Sequence, residues 1–285
     1  MCNFGRKKKL CEMKFSKTIF LAALCILAAS CEKGVNLEKG LILYSDFERD
    51  ANDLSGHKLD GILREDAEIS DDCAVGESSV YFNGERAYVD YSARATYFNR
   101  KYSVSIWVKW EECRQFSRVF DFGQTMPAGG NSFSVLVGRH TDSSQSDLWF
   151  DQWVVNSDGE AVDSMLDVYN EPGDGYMGYK AQTGEWDHYV LVYDLSASNP
   201  NGTVVNSKGR KVPFKGAVTL YVNGEKVGTT YNCMMPQDSP TASNWLGRSH
   251  YMAEPAFKGW MDDFRIYNRC LSEEEIKALY QLGSE

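Results

Sequence analysis

The stretch Tyr102-Ser-Val-Ser-Ile-Trp-Val-Lys-Trp110 decides the fold class, because its side chains alternate with a period of two. Val104, Ile106 and Val108 alternate with serines, a tryptophan and a lysine, which is typical of a strand that buries one face. Similar short runs recur along the chain with turn residues between them, and no amphipathic helix separates them. They lie at residues 41–47, 79–82, 87–91, 118–122, 132–137, 186–193 and 218–222. The pattern predicts an all-β sandwich or barrel.

The overall composition fits one folded domain and excludes nucleic acid as a partner. The chain has 285 residues, of which 43% are hydrophobic and 25% are charged, so a disordered chain is excluded. Its formal charge is −10, but residues 1–31 carry six Lys or Arg and one acid. The rest therefore has 24 basic and 39 acidic residues, a net charge of −15. Recognition of phosphate backbones requires clustered cations, which such an acidic body lacks.

The amino-terminal segment has the features of an export signal. Residues 18–30 form an uncharged run of thirteen after a basic stretch. A transmembrane helix needs about 20 apolar residues, whereas this length suits the hydrophobic region of a secretory signal peptide. Translation starts at either Met1 or Met13. The run ends in Leu27-Ala-Ala-Ser-Cys31, which resembles a bacterial lipobox. The alternative is an ordinary signal peptide cleaved near Ser30.

These features divide the chain into three parts. We expect residues 1–31 to be a lipoprotein signal peptide, residues 32–39 a short tether, and residues 40–283 a single folded domain. Acyl chains on Cys31 would anchor the protein to a membrane, with each buried methylene adding affinity. The expected location is the bacterial cell envelope, with the outer membrane favoured.

Four cysteines lie in the body of the chain. An exported domain with four cysteines allows two disulfides in three pairings, and the sequence does not choose among them. The alternative is four unpaired buried thiols. The spacings contain no Cys-x-x-Cys pair, which disfavours a zinc site. The cysteines are Cys73, Cys113, Cys233 and Cys270.

One helix is predicted near the carboxyl terminus. Ser272-Glu-Glu-Glu275 fits a capping box, with Ser272 as the N-cap and Glu275 three residues later. Ile276, Leu279 and Tyr280 follow at helical spacing, and Gly283 ends the run.

An ordered set of motifs resembles the laminin G-like, concanavalin A-like jelly-roll family. It includes Asn52-Asp-Leu-Ser-Gly56, Tyr81-Phe-Asn-Gly84, Ser103-Val-Ser-Ile-Trp-Val-Lys109, Leu220-Tyr-Val-Asn-Gly224 and Phe257-Lys-Gly-Trp-Met-Asp-Asp-Phe-Arg-Ile-Tyr-Asn-Arg269. The resemblance implies an all-β, two-sheet antiparallel jelly-roll sandwich with one short carboxyl-terminal helix. The fold does not dictate function, since it hosts lectins, adhesins, structural modules and hydrolases.

Acidic residues suggest a structural calcium site. Asp50 and Asp53 lie in one acidic loop, and Asp262 lies near the end of the chain. The family resemblance implies that these segments meet, and Ca²⁺ prefers six to eight oxygen ligands. We take Asp50, Asp53 and Asp262 as the expected ligands. The alternative is that Asp53 makes local Asx turns and Asp262 or Asp263 pairs with an arginine.

Aromatic residues suggest a carbohydrate surface. Residues 145–180 do not fit a compact strand pattern, so we expect a loop surface there, and a second loop region near residues 245–251. Sugars present C–H faces to aromatic rings and hydroxyls to polar groups. The alternative is that these rings pack against the sandwich. The expected ligand residues are Trp149, Asp151, Trp153, Tyr169, Tyr176, Tyr179, Trp245 and Tyr251.

Catalytic motifs are absent from the sequence. Hydrolases of this architecture commonly carry Glu-x-Asp-x-x-Glu, but Glu185-Trp-Asp187 is followed by Val190 at the third position. No nucleophile motif such as Gly-x-Ser-x-Gly accompanies the histidines. The sequence therefore favours an envelope-anchored binding module for a polysaccharide or glycan. Two alternatives stay open: a glycoside hydrolase of the same fold, and a protein-contact module of an envelope complex.

Overall fold

A computed structural model describes residues 34–92, 100–123, 132–138, 146–155, 161–163, 176–198, 204–205, 211–212, 215–231 and 243–284. The chain from Val35 onward forms one compact unit. The expected signal peptide, Cys31 and Cys233 lie outside the described residues. Within these ranges, no helix has the length and apolar character needed to cross a membrane.

The described elements are eighteen strands and one helix. In chain order they are β1 (Leu41–Ser45), β2 (Gly61–Arg64), β3 (Glu68–Ser70), β4 (Ser79–Asn83), β5 (Tyr88–Ser92), β6 (Lys101–Glu112), β7 (Arg118–Gly123), β8 (Ser132–Val137), β9 (Asp147–Val155), β10 (Ala161–Asp163), β11 (Tyr176–Lys180), β12 (Trp186–Ser198), β13 (Val204–Val205), β14 (Lys211–Val212), β15 (Lys215–Val222), β16 (Glu225–Tyr231), β17 (Ser243–Leu246), β18 (Lys258–Tyr267) and α1 (Glu273–Gln281).

Most strands form two antiparallel sheets. Sheet A has the order β16-β15-β12-β6-β18-β4-β3, and β1 also pairs with β18. Sheet B has the order β10-β9-β8-β7-β17-β5-β2, and β11 also pairs with β9. Strands β13 and β14 pair with each other. This architecture confirms the expected two-sheet jelly-roll sandwich.

The main hydrophobic core lies between the sheets. Strand β6 contributes Val104, Ile106 and Val108 from sheet A, and strand β8 contributes Phe133 and Val135 from sheet B. The alternation predicted for β6 is therefore confirmed. The opposite face of β6 is also buried at Ser103, Ser105 and Trp107, because α1 covers that end of sheet A.

Local signals for turns and caps are confirmed as well. Asn223 and Gly224 have φ angles of 52° and 79° and connect β15 to β16, as the turn signal predicts. Ser272 caps α1, and the reciprocal bond from the Ser272 backbone to Glu275 completes the capping box.

Two local expectations are wrong. Residues 147–155 form strand β9 rather than a loop, and Trp245 belongs to strand β17. In β9, Leu148 and Phe150 enter the core while Trp149 and Asp151 alternate with them. The sequence does not show the polar–apolar alternation of a strand here, because Trp149, an aromatic residue, occupies a position on the face away from the core.

The described cysteines are free thiols rather than disulfide partners. Cys73, Cys113 and Cys270 are all unpaired. The thiols of Cys73 and Cys270 donate to the carbonyls of Gly76 and Tyr193, and Cys113 packs against the main core. Burial raises the pKa of Cys113 to about 12, which disfavours the reactive thiolate.

Candidate functional site

A polar and aromatic row crosses the outer face of sheet B. Asp90, Trp245, Asp121, Ser134 and Asp151 lie directly opposite one another across β5, β17, β7, β8 and β9. Residues in register on antiparallel strands share one face of the sheet. The residues that alternate with them fill the core, so this row lies on the face away from it.

Trp245 is fixed from two directions. Its indole Nε1 donates to Asp90 Oδ1 at 3.2 Å. The imidazole of His250 stacks on the indole, and Trp245 is only 8% exposed. The indole therefore packs mainly against other residues of the protein, and only its exposed edge can contact a ligand.

Asp121 anchors the loop that carries His250. The backbone N–H of His250 donates to Asp121 Oδ2 at 3.0 Å, and His250 Nδ1 lies 3.1 Å from Oδ1. Arg118 Nε lies 3.0 Å from Oδ2. Burial opposes ionisation, but Arg118 and the bonds from His250 outweigh it and lower the pKa of Asp121. The carboxylate is thus held charged inside the protein.

The same loop is tied down a second time through Glu254. Arg118 contacts the Glu254 carboxylate, and Ser249 Oγ donates to the same carboxylate at 2.6 Å. The N–H of Tyr251 donates to Ser249 Oγ at 2.8 Å. These bonds hold the loop that carries His250 in one position beside sheet B.

The accessible part of this face lies around Arg248. Its guanidinium carbon lies 4.7 Å from the ring centre of Tyr88 and 5.4 Å from that of Trp245. Arg64 lies 3.6 Å from Asp90. Tyr251 is 40% exposed. We call these residues of the face and its loop the Trp245 site: Tyr88, Asp90, Trp245, Arg248 and Tyr251. The first four place ring faces, a guanidinium and a carboxylate side by side.

The structure places the other expected ligand residues differently. Trp149 is 2% exposed, and its neighbour Asp151 is partly exposed. The hydroxyl of Tyr179 donates to Asp187 Oδ2 at 2.7 Å, and burial together with this bond raises the pKa of Tyr179. Trp153 and Tyr176 belong to β9 and β11, but their side chains lie outside the described part, as does all of Tyr169.

Several residues of this face were not identified from the sequence. Asp121 and Asp90 occupy the polar positions of alternating strands, so their outward direction could have been inferred from the period of two. Tyr88 could have been found in the same way. The pairing of Asp121 with His250 joins residues 129 positions apart, and no local pattern indicates it.

The expected calcium ligands accept hydrogen bonds from the protein itself. Asp53 Oδ1 accepts from the N–H groups of Tyr44 and Ser55 at 3.1 and 2.8 Å, and Oδ2 accepts from Leu59 at 3.1 Å. Burial opposes ionisation of Asp53, but these bonds outweigh it and lower its pKa. Asp50 bonds to the backbone and side-chain N–H groups of Asn52.

Asp262 is buried and satisfied in a similar way. Its Oδ2 accepts from the N–H groups of Ala74 and Val75, both at 2.9 Å, and its Oδ1 accepts from Asp263 at 2.7 Å. Burial raises the pKa of Asp262 to about 7 against the effect of these bonds. Within the described ranges, no three Asp, Glu, His or Cys side chains gather to hold a metal ion. Calcium binding by Asp50, Asp53 and Asp262 stays a prediction.

A family comparison matches most of the folded part. The model described as the concanavalin A-like lectin/glucanases superfamily covers residues 82–277. No curated protein sequence matches the chain.

Solved structures with similar folds include one domain of an arabinanase and two toxin binding domains. Domain 4 of AbnA, a GH43 extracellular arabinanase from Geobacillus stearothermophilus in complex with arabinotriose, has a TM-score of 0.59 and 22% identity, and the match covers 85% of this chain and 98% of that one. The binding domain of Paraclostridial Mosquitocidal Protein 1 has a TM-score of 0.53 and 16% identity over 86% of this chain and 52% of that one. The botulinum neurotoxin serotype D ligand binding domain, in complex with N-acetylneuraminic acid, has a TM-score of 0.52 and 12% identity over 86% and 51%. At these identities the likeness shows a shared fold.

Proposed function

Because the chain belongs to the concanavalin A-like lectin/glucanases superfamily, we propose that it is a carbohydrate-binding module anchored to the bacterial envelope. Its glycan surface is the Trp245 site. The observation that carries this proposal is the accessible end of the row, where Arg248 lies against the rings of Tyr88 and Trp245 beside the partly exposed Asp90. Ring faces suit the C–H surface of a sugar, and the neighbouring charged groups suit its hydroxyls.

The support from similar structures is of a general kind. The arabinanase domain was solved with arabinotriose, and the neurotoxin domain, about half of which matches this chain, was solved with N-acetylneuraminic acid. A polysaccharide or glycan is therefore the ligand class that we propose for this chain. The sheet scaffold holds the ring of Trp245 rigid, which limits the entropy lost on binding.

The acids of this face favour binding over hydrolysis. A glycosidase needs a general acid of raised pKa facing a second carboxylate. Asp121 instead has a lowered pKa and is held by Arg118 and His250. Asp90 accepts from Trp245 and lies beside Arg64. Asp121 is therefore not set up to deliver a proton to a leaving group.

A glycan array with the purified protein tests the proposal. Tyr88→Ala and Arg248→Ala should each weaken binding to the retained glycan by about tenfold, equivalent to about 1.4 kcal/mol. Lys277→Ala on α1 is the matched control and should bind as the wild type does. The proposal fails if no glycan is retained, or if both folded variants bind normally.

Lipid anchoring is tested separately in cells. Cys31→Ser should move the protein from the membrane fraction to the soluble fraction and abolish incorporation of a labelled fatty acid. Unchanged membrane association in this variant would contradict an anchor at Cys31.

A further inference from the structure

A second aromatic row crosses the outer face of sheet A. Trp186, Lys109, Trp260 and Tyr81 lie directly opposite one another across β12, β6, β18 and β4. Residues that alternate with them, such as Met261, enter the main core. The four side chains, which we call the Trp260 row, therefore share the face of sheet A that points away from the core.

Hydrogen bonds fix each ring of the Trp260 row. Trp186 Nε1 donates to Asp72 Oδ1 at 3.1 Å, and Trp260 Nε1 donates to Ser70 Oγ at 3.1 Å. The hydroxyl of Tyr81 donates to Glu111 Oε2 at 2.9 Å, and its ring centre lies 5.0 Å from that of Trp260. Rings that are already fixed lose little rotamer entropy when a ligand binds.

Lys109 lies between the indoles of Trp186 and Trp260. Its ammonium lies 5.2 Å from the ring centre of Trp260 and 6.0 Å from that of Trp186. Both oxygens of Asp72 accept from it, at 3.0 and 2.7 Å. Because the same carboxylate also holds Trp186, the lysine and both rings form one connected unit.

The Trp260 row is accessible, unlike Trp107 on the same face. Trp186, Trp260 and Tyr81 are all partly exposed. Trp107 lies on the same face of β6 but is only 2% exposed, because Tyr280 of α1 stacks on it at 5.6 Å. The helix thus covers one end of sheet A and leaves three rings open at the other.

The surrounding charges define the ligand that fits. Glu68 lies opposite Tyr81 at the end of the row, and Glu111 and Asp72 accept from its members. Lys109 and Lys258 already pair with Asp72 and Glu111. Carboxylates accept bonds from sugar hydroxyls but repel the carboxylates of uronic acids, so a neutral chain fits and an acidic one does not.

We propose that the Trp260 row is a second glycan site, which binds a neutral polysaccharide chain on the sheet opposite the Trp245 site. It extends the proposed function but uses none of the same residues. Two sites on opposite sheets allow one molecule to engage two chains, or two segments of one polymer, and so raise avidity without any new contact.

Binding to immobilised arabinan, xylan and β-glucan, with polygalacturonate as the acidic comparison, tests this proposal. The double variant Trp186→Ala/Trp260→Ala should bind the retained neutral polymer at least about tenfold more weakly than the wild type. Trp186→Ala alone should also weaken binding, and this change at the first residue of β12 perturbs the sheet least. Trp260→Phe keeps a ring and should lose less than the alanine variants, and melting curves report whether each variant folds.

Each result separates this proposal from the Trp245 site. Loss of binding in the Trp260-row variants, with Tyr88→Ala unaffected, supports the second site and contradicts the first. Loss only in Tyr88→Ala overturns the second site and leaves the first. Normal binding by Trp186→Ala and the folded double variant, tighter binding to polygalacturonate, or no binding by the wild type each overturn the second site.

Discussion

The imidazole of His250 lies flat on the indole of Trp245, with ring centres 4.1 Å apart and planes 5° apart. One residue comes from a strand of sheet B and the other from the following loop. The contact explains why a tryptophan on the outer face of a sheet is almost fully buried. It also joins the surface of the Trp245 site to the buried charges beneath it, because Asp121 holds the same imidazole.

Asp121 should be critical for stability. Asp121→Asn breaks a buried ion pair with Arg118 and weakens the support of His250, so we expect the free energy of unfolding to fall by about 3–5 kcal/mol. Urea denaturation measures this loss. The control is Asp90→Asn, whose partner Arg64 is largely exposed at 3.6 Å, and it should cost below about 1 kcal/mol. Equal losses in the two variants would contradict the assigned role of Asp121.

Trp149 should act as a packing residue. Because Trp149 is almost completely buried, Trp149→Ala should lower the free energy of unfolding by about 3–5 kcal/mol. Tyr251→Ala removes an exposed ring and should change stability by about 0.5 kcal/mol or less. Denaturant midpoints of both variants check this contrast. A fully stable Trp149→Ala protein that no longer binds glycan would instead make Trp149 a ligand contact.

Asp262 should make the protein less stable as the pH rises. Its pKa is about 7 in the folded state because of burial, above the ordinary value of 3.8. The folded state therefore holds this proton more tightly, and that stabilisation is complete below pH 3.8 and lost as the pH rises through 7. Asp262→Asn should remove this slope between pH 4 and 7, as measured by urea titrations at each pH. A slope identical to that of the wild type would show that Asp262 is not its source.

His188 should have the opposite effect in acid. Burial lowers its pKa to about 3, from an ordinary value of 6.5, with a further contribution from Arg265. Its stabilising contribution is therefore present above pH 6.5 and is lost as the pH falls towards 3. His188→Gln keeps a polar group near Ser105, which lies 2.8 Å from Nε2, and should flatten the acid side of the stability curve. An unchanged acid side in this variant would rule His188 out.

Local patterns predict the elements of this fold well. The alternation in β6 indicates which side chains enter the core, and Asn223-Gly224 indicates a hairpin with two positive φ angles. The capping box at Ser272 indicates where the helix begins. In each case the information lies within a few neighbouring residues, so the sequence contains it directly.

The site depends on contacts that no local pattern contains. Tyr44 illustrates this, because its N–H donates to Asp53 at 3.1 Å and its hydroxyl to Asp263 at 3.2 Å. The family resemblance implies that these two acidic segments meet, but it does not indicate that Tyr44 and Arg265 both contact Asp263 there. Likewise, composition draws attention to Trp149, while exposure distinguishes it from Trp186 and Trp260.

Strand β18 is the last of the described strands, yet it lies in the interior of sheet A and pairs with β6, β4 and β1. Strands β6 and β4 both pair with β18, so sheet A cannot form completely until residues 258–267 have been synthesised. Such long-range closure slows folding. A chain truncated before residue 258 would lack the strand that joins β6 to β4, and we expect proteases to degrade it before it could act as a functional fragment.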